Sequence, residues 1–328
     1  MKHVVVYRKL QPKHLELLRE QCHVSYYPGV NDDNRNEFLN DLKTADALFG
    51  AAMKITPEML DIAQNLRVIS NFSAGYDNFD LEELTNRGII ATNAPDALTD
   101  TVADLYFASL LATARRIAEL DSFVRNGEWD NSVGEEQFGI DVHHRTIGIV
   151  GLGRIGRALA KRAALGFDMN VYYTKRNRDL EAEQKYGAKY CNELSELLEV
   201  SDYVCITVPL TAETRNMISH QEFKVMKSTA IIINGAGGPV IDESALIRAL
   251  QKGEILGAGL DVFENEPLEA RSDLVSMKNV VLTPHIGSAT LATRSLMVER
   301  GIENMLTALK GEKPANILNE QVLKGVSK

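Results

Sequence analysis

Short apolar runs alternate with amphipathic stretches over the first part of the chain. The runs have the length of strands, and between them the apolar positions recur at helical spacing. Such alternation predicts a parallel α/β sheet. The predicted elements are strands at Val4–Tyr7, Ala47–Phe49 and Val68–Ser70 and a helix at Pro12–Gln21.

Two further helices are predicted from their boundary residues. Thr56 precedes Pro57 and an acid, which is a typical helix start because the hydroxyl caps and proline fits the first turn. Asp80 caps a second helix over Leu81–Arg87, and Gly88 ends it.

The pattern changes at Val102, where apolar residues keep helical spacing as far as Arg125. This predicts one helix of about six turns, followed by an irregular polar stretch and a second α/β series. The tail, Leu291–Leu309, is again predicted to be helical. The strands predicted for the second series are Ile147–Val150, Asn170–Thr174, Tyr203–Val208, Ala230–Ile233, Leu256–Val262 and Val280–Thr283.

Composition narrows the class of protein. The 328 residues suffice for about two domains, and the net charge of −9 argues against broad binding to nucleic acid or to an anionic membrane. No apolar run approaches a membrane span, and the N-terminus does not resemble a signal peptide. The three cysteines form no CxxC pair and no disulfide framework. We therefore expect a cytoplasmic protein without a metal site.

The clearest chemical motif lies in TIGIVGLGRIGRALA. An apolar strand runs into Gly151, Gly153 and Gly156, and a helix follows. In this context the first glycine permits the turn, the second admits a pyrophosphate and the third allows close packing. The N–H groups at the helix start would then face the phosphates. The motif predicts a dinucleotide site, and a tight turn selected only for packing is the alternative.

The end of the next strand indicates which dinucleotide binds. A site for NAD usually places an acid there to hold the ribose hydroxyls. This chain has Thr174, Lys175 and Arg176 instead, and no acid before Asp179. Cations at this position suit a 2′-phosphate. We therefore prefer NADP(H), while a solvated basic loop would leave NAD(H) possible.

Polar residues also follow two later strands. Asp261 and Glu266 lie in GAGLDVFENEP, and His285 lies in VVLTPHIGSAT. Because ligands bind beyond the carboxyl ends of parallel strands, His285 could give a proton to a carbonyl oxygen. A carboxylate beside it would fix one tautomer and favour the charged imidazole. Taken singly, a histidine or glutamate at such a position is more often structural, and Glu266 would then only cap a turn before Pro267.

These segments together resemble the D-isomer-specific 2-hydroxyacid dehydrogenases. The resemblance covers nearly the whole chain and includes GLGRIG, TKRNR, LDVFENEP, TPHIGSAT, SAGYDNFDLEEL and TNAPDALTDTVADLYFASLLATARR. Within the family the chain is most similar to glyoxylate/hydroxypyruvate reductases that also act as 2-ketogluconate reductases. The resemblance implies reduction of small 2-ketoacids to D-2-hydroxy acids.

The resemblance also implies residue roles. His285 would be the proton donor, Glu266 its carboxylate partner, and Asp261 a contact of the nicotinamide amide. The backbone N–H groups of Ala74 and Gly75 would bind the substrate carboxylate, with Arg294 a weaker candidate nearby. The implied cofactor-binding residues are Thr101, Gly151, Gly153, Arg154, Ile155, Gly156, Thr174, Lys175, Arg176, Thr207, Val208, Pro209, Asp261, His285 and Gly287.

The domain organisation is a further implication of the resemblance. Two Rossmann-like domains with parallel sheets are expected, and the substrate-binding domain is discontinuous. It would comprise residues 1–98 and 289–328, and the NAD(P)-binding domain would comprise residues 99–288. Homodimers formed through the cofactor domain are usual in the family.

The stretch IIINGAGGPVID departs from the family pattern. The family reads Asn-x-x-Arg-Gly-x-x-x-Asp here, and Asn234, Gly238 and Asp242 keep this register while Gly237 occupies the arginine position. That arginine would bind the substrate's carboxylate and keto oxygen. Three interpretations follow: an inactivated variant of a reductase, a weak enzyme using other cations such as Lys54 or Arg294, or a non-catalytic NADP(H)-binding sensor or scaffold.

Overall fold

The structure is a computed structural model that describes residues 1–325. It divides into two compact units. The first unit contains Met1–Leu98 together with the described chain from Ala289 onward, and the second contains Thr99–Ser288. Each unit is built on its own parallel sheet. The predicted α/β fold with two parallel sheets is confirmed.

The strands, in chain order, are β1 (Lys2–Val6), β2 (Cys22–Tyr26), β3 (Ala47–Gly50), β4 (Val68–Asn71), β5 (Ile90–Thr92), β6 (Thr146–Val150), β7 (Asn170–Thr174), β8 (Lys189–Tyr190), β9 (Tyr203–Ile206), β10 (Ile231–Asn234), β11 (Gly257–Leu260) and β12 (Val280–Leu282). The α-helices are α1 (Pro12–Arg19), α2 (Arg35–Leu42), α3 (Pro57–Ile62), α4 (Leu81–Asn86), α5 (Thr99–Ala114), α6 (Ile117–Arg125), α7 (Arg154–Phe167), α8 (Leu180–Tyr186), α9 (Leu194–Val200), α10 (His220–Val225), α11 (Glu243–Lys252), α12 (Leu291–Leu309) and α13 (Gln321–Gly325).

The first unit carries a five-stranded sheet in the order β2-β1-β3-β4-β5. Its helix starts agree with the sequence: Thr56 caps α3 by accepting from Met59 N–H, and Asp80 caps α4 by accepting from Glu83 N–H at 3.0 Å. Gly88 follows α4 with φ of +69°, a conformation that favours glycine.

Helix α12 belongs to the first unit although it lies far along the chain. It packs on β3 and β4, where Ser70 Oγ donates to the Gly301 carbonyl at 2.9 Å. Its apolar face, including Ile302 and Met305, shares a core with Val4 and other residues of the sheet. The tail therefore completes a core that the N-terminal segment leaves open on one face.

The second unit carries a seven-stranded sheet in the order β12-β11-β10-β9-β6-β7-β8. The chain starts at β6 in the interior of the sheet, builds outward through β7 and β8, and then returns to β9 on the other side. This reversal is the switch point at which doubly wound sheets bind dinucleotides. Strands β9 and β10 are fully buried, as expected for interior parallel strands.

The helix predicted over residues 102–125 is wrong as a single element. It is two helices, α5 and α6, because Arg116 adopts a left-handed conformation with φ of +55°. The Arg116 guanidinium binds Glu119 at 2.8 Å and also the Glu136 carbonyl. Contacts distant in sequence thus stabilise the break, whereas the apolar spacing continues across it.

Some short elements were not predicted. The sequence pattern does not predict strands β2, β5 and β8 or helix α2, since these elements are short and only partly buried. Several predicted strands also end one or two residues too late. Among residues 1–325, no helix is both long and apolar enough to cross a membrane.

Candidate active site

Most of the candidate residues lie at one edge of the seven-stranded sheet. All of its strands are parallel, so their carboxyl ends meet at this edge. The segments that follow the strands there are the glycine loop after β6, Lys175 after β7, Thr207 after β9, the Gly237 loop after β10, Asp261 after β11 and His285 after β12.

The glycine loop has the shape that a pyrophosphate requires. Gly151 has φ of +95°, and a Cβ there would meet Val208 Cγ1 at 2.7 Å. A Cβ on Gly156 would overlap the Gly151 carbonyl oxygen, whereas a Cβ on Gly153 would meet nothing within 4 Å. The first and third glycines are therefore needed for packing, and the second leaves open space before the start of α7. These residues fit a dinucleotide phosphate.

Neighbouring strands hold this loop in place. Gly151 N–H donates to the Thr174 carbonyl at 2.9 Å, and Thr207 Oγ1 donates to the Val150 carbonyl at 3.2 Å and to that of Gly151. Pro209 continues this strand end, and its carbonyl accepts from Thr214 Oγ1 at 2.6 Å. The loop is thus anchored to both adjacent strands before any ligand binds.

The basic loop after β7 contains one anion. Lys175 Nζ donates to the Leu152 carbonyl in the glycine loop at 3.2 Å and lies 3.5 Å from Asp179 Oδ2. Arg157 of α7 binds the same Asp179 oxygen at 2.7 Å. Because these cations already occupy the Asp179 carboxylate, it is poorly placed to bind ribose hydroxyls.

The two other cations of this loop differ from each other. Arg178 is bound to Glu183 at 2.6 Å, so its charge is already compensated. Arg176 is exposed, and so is Arg154, the first residue of α7. Lys175, Arg176 and Arg154 are therefore the cations best suited to an additional phosphate, and Arg178 is not.

His285 and Glu266 form a direct pair. His285 Nδ1 lies 2.7 Å from Glu266 Oε2, and the other carboxylate oxygen accepts from Phe263 N–H at 3.1 Å. The His285 side chain is 63% exposed. One ring nitrogen is thus fixed by a carboxylate, while Nε2 remains available to a substrate. This is the arrangement of a general acid held in one orientation.

The turn that carries His285 is held by Asp261. His285 itself has φ of +53°, a costly conformation for a residue other than glycine. Asp261, only 4% exposed, accepts from Ile286 N–H and Gly287 N–H at 2.8 Å each and from Thr283 Oγ1 at 2.6 Å. Both carboxylate oxygens are therefore used to fix the turn. A backbone outlier supported in this way is typical of a functional position.

The Gly237 loop is shaped by Asn234 and Tyr106. Asn234 Oδ1 accepts from Ala236 N–H at 3.1 Å, and its Nδ2 donates to the Gly237 carbonyl at 3.0 Å. Tyr106 of α5 accepts from Gly235 N–H at 2.9 Å and donates to the Ile206 carbonyl. The loop is therefore ordered by the Asn234 side chain and by Tyr106 of a distant helix.

The two adjacent glycines of this loop have different requirements. A Cβ on Gly238 would overlap the Phe263 carbonyl, so only glycine fits there. Gly237 has φ of −168°, which any residue can adopt, and a Cβ there would meet Leu210 Cβ at 3.1 Å. The backbone therefore does not require glycine at position 237.

The candidate substrate-binding residues of the first unit lie in two segments. The Ala74 and Gly75 carbonyls accept hydrogen bonds from Asn93 and Asn71, at 2.7 and 3.2 Å respectively. No partner for the N–H groups of Ala74 and Gly75 occurs among residues 1–325, and Gly75 is exposed. Arg294 is exposed in the first turns of α12. These two N–H groups are able to donate hydrogen bonds to an anion.

Comparison with known proteins identifies the family. A model described as "D-isomer specific 2-hydroxyacid dehydrogenase, NAD binding domain" matches residues 107–287, more than half of the chain. The chain belongs to this family. The matched region lies within the second unit, and it contains the glycine loop, Glu266 and His285.

Full-length relatives of this dehydrogenase are also found. A glyoxylate/hydroxypyruvate reductase B from Yersinia pestis (strain Pestoides F) is 48% identical over 320 residues, 98% of each chain. An NADPH-dependent glyoxylate/hydroxypyruvate reductase from Sinorhizobium meliloti, solved with NADP and malonate, has a TM-score of 0.84 at 30% identity and covers 97% of each chain. A solved protein from Thermus thermophilus has a TM-score of 0.87 at 39% identity, covering 96% of this chain and 99% of that one.

The predicted family and enzyme class are confirmed by these comparisons. The dehydrogenase is an NAD(P)-dependent oxidoreductase with a nicotinamide-cofactor domain. The sequence does not indicate three residues that support the site: Tyr106, Arg157 and Phe263. Each acts through a partner distant in sequence or through its backbone, so no local motif marks it. Arg157 could have been suspected, since it lies one turn beyond the glycine loop.

Proposed function

We propose that this dehydrogenase reduces glyoxylate, hydroxypyruvate and 2-ketogluconate to D-2-hydroxy acids, with NADPH preferred. The pair of His285 Nδ1 and Glu266 Oε2 at 2.7 Å carries the proposal, because it leaves the opposite ring nitrogen available. The relatives named glyoxylate/hydroxypyruvate reductases support the substrate class.

The reaction assigns one task to each residue. The bound cofactor supplies a hydride to the keto carbon of the substrate. His285 donates the proton from Nε2 to the carbonyl oxygen, while Glu266 accepts the Nδ1 hydrogen and favours the charged imidazole. Phe263 N–H holds the second Glu266 oxygen, so the carboxylate cannot rotate away. Asp261 keeps the His285 turn in its left-handed conformation, and we propose that it also contacts the nicotinamide amide.

Substrate binding is assigned to the first unit. We propose that the N–H groups of Ala74 and Gly75 bind the substrate carboxylate, since their carbonyls are held and these donors are unused among the described residues. Arg294 is retained as a weaker candidate. On this proposal the first unit is the substrate-binding domain and the second the NAD(P)-binding domain.

The preference for NADPH rests on the loop after β7. Lys175 lies against the glycine loop, Arg176 is exposed, and the first acid after the strand, Asp179, is already bound to Arg157. We expect kcat/KM with NADPH to exceed that with NADH by about tenfold or more, as a charge-assisted phosphate contact allows. Steady-state assays with each ketoacid and each cofactor measure this ratio.

Those assays also separate the alternatives. Turnover of any of the three ketoacids, even slow, supports a reductase. Tight NADPH binding without turnover, in this chain and after arginine is placed at position 237, would instead indicate the sensor or scaffold. A higher kcat/KM with NADH would contradict the assignment of Lys175 and Arg176.

We further propose a cytoplasmic homodimer formed through helix α6 and the segment after it. Helix α6 buries none of its residues, and five apolar side chains of this region are each more than half exposed: Ile117, Val124, Trp129, Val133 and Phe138. An apolar surface of this kind marks an interface. The free, buried cysteines Cys22, Cys191 and Cys205 agree with a reducing compartment.

Sedimentation measurements test the dimer. The wild type should sediment at twice the chain mass of 36.3 kDa, and the double variant Val133→Asp/Phe138→Asp should sediment as a monomer. Leu165→Asp is the matched control, because Leu165 is 66% exposed on α7, outside this region. A monomeric wild type, or a dimer that survives the double substitution, would contradict this interface.

A further inference from the structure

A buried carboxylate lies beside the basic loop of the second unit. Asp179 is 4% exposed, and it directly follows the cations Lys175, Arg176 and Arg178. Its backbone N–H donates to Tyr173 Oη at 2.7 Å, so the residue is fixed at the end of the loop. A carboxylate so well buried requires compensation by specific partners.

The two carboxylate oxygens have separate partners. Oδ1 accepts from Ala182 N–H at 3.1 Å and thereby caps α8. Oδ2 binds Arg157 at 2.7 Å and lies 3.5 Å from Lys175 Nζ. Burial acts to raise the pKa of Asp179, but the Ala182 N–H, Arg157 and Lys175 hold it below the ordinary value. The group is therefore an anion with two cations around one oxygen.

Capping alone does not explain the charge. Asparagine and serine cap helices about as well as aspartate, and neither brings a negative charge into a buried position. The charge acts on Arg157 and also on Lys175, whose ammonium is shared between Asp179 and the Leu152 carbonyl of the glycine loop. The Arg157 contact is short, whereas 3.5 Å is long for a charge-assisted bond. Of the two cations, Lys175 is the one more easily drawn to another anion.

We propose that Asp179 is a specificity-determining residue, an internal anion that holds Lys175 beside the glycine loop and competes with the 2′-phosphate of NADP(H) for it. This inference rests on the proposed use of Lys175 for that phosphate. Asp179 thus lowers the affinity for the phosphorylated cofactor and keeps NADH usable. Arg157 keeps its short bond to Asp179 and its bond to Glu181 at 3.1 Å, so it is not the cation in competition.

The variant Asp179→Asn tests the proposal, because it removes the charge and retains a capping side chain. Calorimetric titration with adenosine 2′,5′-bisphosphate should show binding about 3–10-fold tighter than to the wild type, as the loss of one competing charge allows. Binding of adenosine 5′-diphosphate, which lacks the 2′-phosphate, should change by less than about twofold. Unchanged or weaker binding of the 2′,5′-bisphosphate would overturn the proposal.

Two further variants establish whether the effect belongs to Asp179 and Lys175. Glu181→Gln removes a carboxylate that also binds Arg157 but is 57% exposed and has no contact with Lys175. If this control tightens binding as much as Asp179→Asn, a general change in charge is responsible and the proposal fails. In a Lys175→Ala background, Asp179→Asn should have no effect, since the two residues act on each other. If Asp179→Asn tightens binding of the 2′,5′-bisphosphate as much in the Lys175→Ala background as in the wild type, the proposal is overturned.

Separate measurements test whether the variants are folded and whether the proposed cofactor preference holds. Asp179→Ser, a second uncharged capping variant, must reproduce the tighter binding, and thermal unfolding of each variant verifies that the unit is folded. The NADPH to NADH ratio of kcat/KM in the wild type tests the proposed preference. The change in that ratio on Asp179→Asn, expected to be a rise of about 3–10-fold, tests the role of Asp179. The wild-type ratio can contradict the proposed cofactor preference without affecting the proposed role of Asp179, and the reverse also holds.

Discussion

Replacing Gly237 with arginine is expected to raise kcat/KM for glyoxylate with NADPH by about 10²–10³, the usual effect of one preorganised electrostatic donor. A guanidinium at this position would bind the carboxylate and keto oxygen of a 2-ketoacid, as the family pattern implies. It would also stabilise the charge that develops on that oxygen before His285 protonates it. The measurement is a steady-state assay of both proteins on glyoxylate and hydroxypyruvate.

The local geometry allows this substitution. The backbone at Gly237 is extended, with φ of −168°, so arginine meets no conformational penalty there. Its Cβ would approach Leu210 Cβ to 3.1 Å, which a shift of a few tenths of an ångström relieves. Gly238, by contrast, must remain glycine because of the Phe263 carbonyl. The gain should therefore appear without a large loss of stability.

Gly237→Gln is the matched control, since glutamine approaches Leu210 in the same way but carries no charge. It should recover little of the gain. Equal and robust activity of the wild type and Gly237→Arg would show that this position does not limit the enzyme. The second interpretation, in which other cations hold the substrate, would then be preferred, and Lys54 and Arg294 would be the residues to substitute next.

The shape of the glycine loop was predictable because it depends on a local motif. Gly151, Gly153 and Gly156 are specified by the strand that precedes them and the helix that follows. Their packing roles could be assigned from spacing alone. The same holds for the caps Thr56 and Asp80, whose donors lie within three residues.

Features that depend on distant contacts were not predictable from pattern. The break at Arg116 is stabilised by carbonyls about twenty residues along the chain, while helical spacing runs through it. Asp179 looked like the first acid after a basic loop, yet its carboxylate is bound by Arg157 from another helix. Tyr106 supports the Gly237 loop across 129 residues. In each case a side chain acts on a partner that a single segment cannot reveal.

The second large effect is expected at His285. The variant His285→Gln, made in the Gly237→Arg background so that the starting rate is high, should lower kcat by about 10²–10⁴, the usual contribution of general acid catalysis. Glutamine retains a polar group of similar length but cannot donate a proton to the forming alkoxide. Binding of NADPH, followed by its fluorescence, should weaken far less than kcat falls, because the glycine loop and the basic loop are unaffected.

Glu266→Gln separates proton donation from orientation. The amide can still bind Phe263 N–H or His285, but it no longer stabilises a charged imidazole. Since reduction requires the protonated ring, kcat should fall, but by less than in His285→Gln, because the imidazole can still donate a proton. The matched control for His285→Gln is His143→Gln, because His143 is an exposed histidine of the same unit outside the site. Retention of kcat within about fivefold in His285→Gln would exclude His285 as the proton donor, since general acid catalysis contributes more than that. The 2.7 Å pair would then serve only to hold the turn that Asp261 already fixes.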